Sequence, residues 1–324
     1  MHIVLPGALP PGAYAAALAA ELPAHAPHLT ALLAQARPTI TPFDPALAGC
    51  TAFEASQLQR LGYSPDADLR FGAGLGPVHA AHALGMPLAD FARSQASEPV
   101  WLGAFAHVAL GTDRASLLPP ESLDLSAEET HALVAALEPL WHDSGFHGHA
   151  LAIGLLRFAV PPGFKPATAS PLAVAGQSLQ NWWQTETSSR PWRRLLNEIQ
   201  MVWHEHPVNR ARQENGKPPV NALWLYGGAP AWAPAAAPDV QQDDTLLVFA
   251  QRGDWHGWLE AAQQLDRRLI APLMTPKGQP LNPLTLDLIG EQRIARLDIA
   301  PRAAWLRWLP SSRIDWKHWW SPPV

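Results

Sequence analysis

Residues 204–228, HEHPVNRARQENGKPPVNALWLYGG, crowd imidazoles, two guanidinium groups, a lysine and two carboxylates between an apolar helical segment and an apolar strand. Residue types of this kind serve two chemistries: imidazoles hold metals, while arginine, lysine and asparagine grip carboxylates and phosphates. His204 and His206 are two positions apart. On a helix that turns them about 200° from each other, so the two do not share a metal ion. A zinc-binding helix places its histidines four apart. The stronger candidates form an anion-recognition set: His204, Asn209, Arg210, Arg212, Lys217 and Asn221. The competing reading is a polar corner, in which the same side chains satisfy backbone groups where helix, loop and strand meet.

The flanking elements fix how these side chains can be presented. SSRPWRRLLNEIQMVWHEH (188–206) has a serine cap, Pro191 in its first turn, and Leu195, Leu196, Ile199, Val202 and Trp203 along one face. Pro207 removes a backbone donor and disfavours helix at His206, so the helix kinks or stops there. A further turn or two before Gly216 is expected, with the glycine at C′. The strand NALWLYGG then ends in Gly227 and Gly228. In α/β sheets ligands sit beyond the carboxyl ends of strands, so this glycine pair is expected to face a site.

Along the rest of the chain short apolar runs alternate with helix-period segments. HIVLPG (2–7), VWLGAFAHVAL (100–110), LAIGLLRFAV (151–160) and TLLVFAQ (245–251) read as strands. AYAAALAAEL, HLTALLAQA and WHGWLEAAQQLDRRL read as helices. Two capping boxes mark helix starts, Thr51 with Glu54 and Ser126 with Glu129. This alternation predicts an α/β sandwich with a mostly parallel sheet. Residues 99–165 break the rhythm with strand, helix, strand and are expected to form a small inserted α+β subdomain, leaving 1–98 and 166–324 as the core.

Composition narrows the function classes. Basic and acidic residues, 23 against 28, leave a net charge of −5 and no broad cationic field for nucleic acid or anionic lipid. Cys50 is the single cysteine, which excludes an internal disulfide and a thiolate metal cluster and makes a cytoplasmic protein the expectation. The N-terminus has no basic region before its apolar residues and reads as strand, turn and helix, not as a signal peptide. No apolar run approaches the roughly 20 residues of a membrane span. Thirteen of the 15 tryptophans lie at or after Trp182, which draws attention to the tail AAWLRWLPSSRIDWKHWWSPPV. Trp305, Trp308, Trp316, Trp319 and Trp320, with Arg313 and Lys317 between them, either dock a partner or close the core of the second half.

The 204–228 stretch resembles the His-Pro-x-Asn, Arg, Gly-Lys, Pro-x-Asn block of archaeal-type cofactor-independent phosphoglycerate mutases, metal-dependent members of the alkaline phosphatase superfamily. It is more similar still to their proteobacterial relatives, the RpfE-type regulatory proteins, in which LNEIQM (196–201) and PVNALW (219–224) recur. Further echoes follow in the family's order: APHLTALLAQA (26–36), LGYSPDADLRFGAGLGPVHAAHALGM (61–86) and DLSAEETHALVAAL (124–137). The resemblance covers about two thirds of the chain and implies an alkaline-phosphatase-like three-layer sandwich.

The departures bear on chemistry. Members that catalyse carry a metal-ligating Asp at the end of the first strand, where Pro6 stands here. Their nucleophilic Ser corresponds to Phe53, and Glu54 replaces the Asp beside it. Of their late ligands only Asp254 and His256, in RGDWHGW, have counterparts. Phosphoryl transfer in this superfamily uses two divalent ions, each held by several carboxylates or imidazoles, and one Asp with one His cannot hold such a pair. Phe has no lone pair with which to attack phosphorus, and Thr51 is expected to cap a helix. The expectation is a pseudoenzyme without cofactor that binds a small phosphorylated metabolite or a protein partner. The alternative is a metal-dependent mutase or phosphatase whose two divalent cations, Mn or Zn, sit in a rearranged site built on Asp254, His256 and His204. FHGH (146–149), beside His142 and Asp143, is a second place for a metal, with solvated loop polarity as its competitor. No nucleophile elbow and no phosphate-binding P-loop occurs.

Overall fold

A computed structural model describes residues 1–95, 97–111, 114–182, 187–236, 240–301 and 314–321, apart from the side chains of His142 and Asp143. The chain divides into two compact units, one built from residues 1–44 and 237–324 and one from 45–236. The first unit opens with β1 (His2–Leu9), α1 (Gly12–His25), α2 (Pro27–Leu33) and β2 (Thr39–Pro42). The second unit runs through α3 (Pro45–Ala48), α4 (Ala52–Arg60), α5 (Leu75–Ala83), α6 (Leu88–Ser94), β3 (Pro99–Ala106), β4 (Val108–Leu110) and β5 (Ala115–Leu117). It continues with α7 (Ala127–Ala135), α8 (Glu138–Ser144), β6 (His147–Ala152), β7 (Leu155–Ala159), α9 (Pro171–Val174), α10 (Arg190–His204), α11 (Pro207–Glu214) and β8 (Ala222–Pro230). The chain then re-enters the first unit with β9 (Val240–Gln242), α12 (Thr245–Arg252), α13 (Trp255–Leu265), β10 (Leu284–Gly290), β11 (Arg293–Ile299) and α14 (Trp316–Trp320).

The fold is mixed α/β, but the expectation of a mostly parallel sheet is corrected. In the first unit the strand order is β2-β11-β10-β1-β9, with β1 parallel to β10 and β9, and β11 antiparallel to β10 and β2. In the second unit β6-β7-β3-β8 is antiparallel throughout, as is the β4-β5 ribbon. The physical reason is local. LAIGLLRFAV is not one strand; it turns at Ile153–Gly154, where Gly154 takes a left-handed φ of 67°, and folds back as a hairpin. TLLVFAQ is likewise helical, not extended: α12 runs to a left-handed Gly253 that takes hydrogen bonds back into its last turn. Segment 99–165 lies within the second unit, and its strands β3 and β7 share a sheet with β8, which comes from outside the segment.

Each unit has its own core. In the first, Leu18, Leu22, Leu29 and Leu32 of α1 and α2 join Ile3, Leu5, Leu286, Leu297 and Trp258. The end of the chain completes it: Trp316 and Trp320 are buried, and Trp320 packs 6.1 Å from Trp258 between ring centroids. The described part of the Trp-rich tail therefore closes the core, while Trp305, Trp308 and Arg313 lie outside the described residues. Ion pairing pins the sheet register, with Arg296 holding Asp287 through two bonds of 2.7 Å from the adjoining strand. In the second unit α10 lays Trp192, Leu195, Leu196, Ile199 and Trp203 onto β3 and β8, and Trp192 meets Phe158 edge to face and Phe146 at a tilt. No described helix is long and apolar enough to cross a membrane.

Candidate functional site

The polar corner assembles as its proline dictates. α10 stops at His204, and His206 becomes the N-cap of α11, its Nδ1 accepting from the Val208 amide at 3.2 Å with Pro207 behind it. Gly216, at φ 70°, ends α11, and the Lys217 amide returns to the Arg212 carbonyl at 2.8 Å. Asn209 is buried and saturated: it donates to the carbonyls of Trp203 (2.7 Å) and Val220 (2.8 Å) and accepts from the Val220 amide (2.8 Å). Arg212 is 1% exposed. Its guanidinium donates to both carboxylate oxygens of Glu129 (3.0 and 2.9 Å), to the Pro218 carbonyl (2.9 Å) and to the Leu123 carbonyl. Asn221 pairs its amide with the backbone of Val108 in both directions, as a strand residue would. Lys217 meets Asp124 at 2.7 Å on the surface, and His204 and Arg210 stand exposed. The six expected anion ligands thus do not converge. Asn209, Arg212 and Asn221 tie α11, β8 and β4 together, and Arg212 has no face open to a ligand.

The expected metal positions can be tested against their donors. In the first unit the pairing register of β1 shifts after Pro6, at a left-handed turn on Gly7 (φ 77°) whose carbonyl accepts from the Trp258 indole at 2.9 Å. A Cβ on Gly7 would stand 2.7–2.9 Å from the backbone of Leu246–Leu247, so α12 packs directly on this turn. Asp254 is the N-cap of α13, accepting from the Gly257 amide at 2.9 Å, and exposed His256 lies 3.6 Å from Glu260 one turn on. His204 belongs to the second unit. Among the described residues no three His, Cys, Asp or Glu side chains come together as a ligand set. The donors do not fit a pair of divalent cations. His147 and His149 lie on β6 instead of a loop; burial, then Arg157 and His147, lowers the His149 pKa.

A second polar cluster lies where the resemblance places a nucleophile. Thr51 caps α4 through a complete capping box, accepting from the Glu54 amide while its own amide and hydroxyl donate to Glu54 Oε2 at 2.8 and 3.0 Å. Ser170 donates to the same oxygen at 2.7 Å and caps α9. Glu54 is 2% exposed, and its Oε1 has no partner among the described residues. Burial raises its pKa against the opposing hydrogen bonds from Ser170 and Thr51, favouring the neutral acid. Burial, then Glu54, also raises the Cys50 thiol, which stays protonated and out of solvent. Tyr226 hydrogen-bonds His79 Nδ1 at 3.0 Å; burial, then Glu54, raises the phenol, and burial, then His82, lowers His79 to about 4. Tyr63 stacks 4.4 Å from Trp232 with its hydroxyl unpartnered among the described residues, pushed up to about 12 by burial, then Asp66, then Cys50. Gly74 leaves room for that ring, since a Cβ there would approach it to 2.7 Å. Gly227 is needed for close packing, not for a ligand: its Cβ would meet the Val100 carbonyl at 2.5 Å.

Burial disfavours the charged form of Cys50, Glu54, Tyr63, His79 and Tyr226 alike. Thr51 is fixed as a cap, its hydroxyl engaged by Glu54, and Phe53 is half-buried. Sequence reading found Thr51 and Glu54 but not Ser170, His79 or Tyr226. Ser170–Pro171 carries the signature of a helix start and was open to detection; nothing local marks His79 or Tyr226.

No family model and no curated protein sequence matches the chain. The solved structures similar to it include two archaeal proteins. One is a cofactor-independent phosphoglycerate mutase from Thermoplasma acidophilum DSM 1728, at 15% identity over 92% of this chain and 89% of that one, with a TM-score of 0.35. The other is the PH0037 protein from Pyrococcus horikoshii, at 14% identity over 92% of this chain and 87% of that one, with a TM-score of 0.41. Both scores are too low to equate the folds.

Proposed function

We propose that the chain is a non-catalytic, RpfE-type relative of the cofactor-independent phosphoglycerate mutases, of alkaline-phosphatase-like ancestry, that works in the cytoplasm by binding a ligand or partner. One observation carries the reading. Phe53 and Glu54 stand where the resemblance expects the nucleophilic Ser and the Asp beside it, and Glu54 is sealed from solvent and holds Thr51 and Ser170 instead. A carboxyl buried and engaged in this way is not presented to a ligand, and Phe53 has no lone pair with which to attack phosphorus. The purified protein is expected to carry no stoichiometric Mn or Zn and to turn over neither 3-phosphoglycerate nor p-nitrophenyl phosphate in the presence of either ion. Stoichiometric metal together with turnover that disappears in Asp254→Asn and His256→Ala would overturn the proposal in favour of a rearranged metal site.

A further inference from the structure

A small cavity in the second unit is lined by Arg70, Arg193, Thr168 and three tryptophans, Trp182, Trp192 and Trp224, with leucine side chains behind them and no carboxylate among its described walls. Its volume is about 50 Å³. One water needs roughly 10–15 Å³ on this measure, so the space admits a carboxylate or phosphoryl group but not a whole metabolite.

Arg70 is the anomaly. The other half-buried arginines of the unit have partners: Arg157 meets Gln95, Arg60 meets Ser56, and Arg193 also has one. Among the described residues nothing accepts from the half-buried Arg70 guanidinium. Its stem lies against Gly49. Gly49, at φ 70°, gives it room: a Cβ there would lie 3.1 Å from the Arg70 side chain and 2.7 Å from the Thr168 carbonyl. The Arg70 carbonyl accepts from the Ala73 amide at 3.0 Å. A second orphan borders the same cavity, the buried indole N–H of Trp182, which has no acceptor among the described residues. The Trp224 indole, by contrast, is satisfied by the Ala169 carbonyl at 2.9 Å.

A half-buried guanidinium with no anion among the described residues, beside a buried and unused indole donor, is a recognition arrangement more than a structural one. A guanidinium offers a planar fork to an oxyanion, and its attraction strengthens where the walls exclude water. We propose that this cavity binds the oxyanion head group, carboxylate or phosphoryl, of a small organic ligand whose body lies outward against the tryptophans. Arg70 supplies the fork, Trp182 a further donor, and Arg193 a second positive charge. The inference rests on the binding-protein reading for its purpose but not for its test.

The experiment titrates the intact chain with benzoate, phenyl phosphate and benzyl alcohol by calorimetry, following the indole N–H resonances in parallel. At least one of the two anions is expected to bind saturably with a Kd below about 1 mM and to shift the Trp182 signal, and benzyl alcohol is not. Which anion binds distinguishes a carboxylate from a phosphoryl ligand. Arg70→Gln is expected to weaken binding at least about tenfold, and Arg210→Gln to leave it unchanged. Arg70→Lys, which keeps the charge but not the fork, gives an intermediate loss and guards against a folding defect in the glutamine variant. Three results would each sink the proposal: no saturable binding of either anion, equal binding of the alcohol, or loss of binding in Arg210→Gln but not in Arg70→Gln. None of them bears on turnover, so the non-catalytic reading stands or falls separately.

Discussion

The second unit contains two buried polar networks built from similar starting motifs, and they end differently. Around Arg212, the Ser126–Glu129 capping box meets a guanidinium, two carbonyls and the Asn209 bridge, and the central donors are matched. Around Glu54, the Thr51–Glu54 capping box meets Ser170 on one oxygen and leaves the other oxygen alone, with an orphan Tyr63 hydroxyl in the same cluster. A saturated network explains itself as structure, because every desolvated group has been repaired. An unsaturated one carries an unrepaired desolvation cost and retains the ability to change protonation. The motif does not distinguish the two; the long-range partner does. Glu129 receives an arginine on both of its oxygens, whereas Glu54 receives only hydroxyls and an amide.

The contrast can be broken first at Arg212. Arg212→Ala removes the guanidinium and leaves Glu129, Leu123 and Pro218 without their donor; a loss of about 4 kcal/mol in urea unfolding is expected. A loss under about 1 kcal/mol would show the corner to be peripheral. The second test sharpens the Glu54 side through His79. A histidine held near 4 when folded and near its ordinary 6.5 when unfolded binds fewer protons in the native state between those values. Its contribution is complete above the unfolded value and is lost as pH falls toward 4. Relative to His79→Gln, the protein is expected to lose about 2 kcal/mol more on going from pH 7 to pH 5. Glu54, whose folded pKa is raised, has the opposite sign: its contribution is lost as pH rises through the folded value. That contribution is common to both proteins and cancels in the comparison. Parallel pH profiles would show that His79 is not held neutral. The smallest effect belongs to Lys217→Ala. Its pair with Asp124 is largely in water, and the unfolding midpoint is expected to stay at the wild-type value.

How much of this was legible follows from sequence distance. The break at Pro207, the restart as α11 and the stop at Gly216 are consequences of a fixed φ and a left-handed position, so neighbours suffice to read them. The two capping boxes are equally local. The partner of Arg212 is not: Glu129 lies 83 residues away, and Ser170 lies 116 from Glu54. Residues 204–228 therefore read both as an anion site and as a joint, and only the fold reveals that Arg212 points inward. Strand direction was also hidden, because one glycine, Gly154, separates a continuous strand from a hairpin. TLLVFAQ misled in the opposite direction, since apolar β-branched and aromatic residues fill a helix when a left-handed glycine ends it. Arg70 stands in a quoted stretch without any mark of its own; its importance comes from lacking an acceptor, which a sequence does not record.

The packing of Trp316 and Trp320 onto Trp258 gives the first unit a coupled chromophore trio near the carboxyl terminus. Rings at these separations couple their strong short-wavelength transitions, so the trio contributes an exciton band to the far-ultraviolet circular dichroism. Clipping the chain before Trp316 would erase that band along with the wedge it fills, making the terminal helix an optical gauge of whether its own half of the molecule is folded.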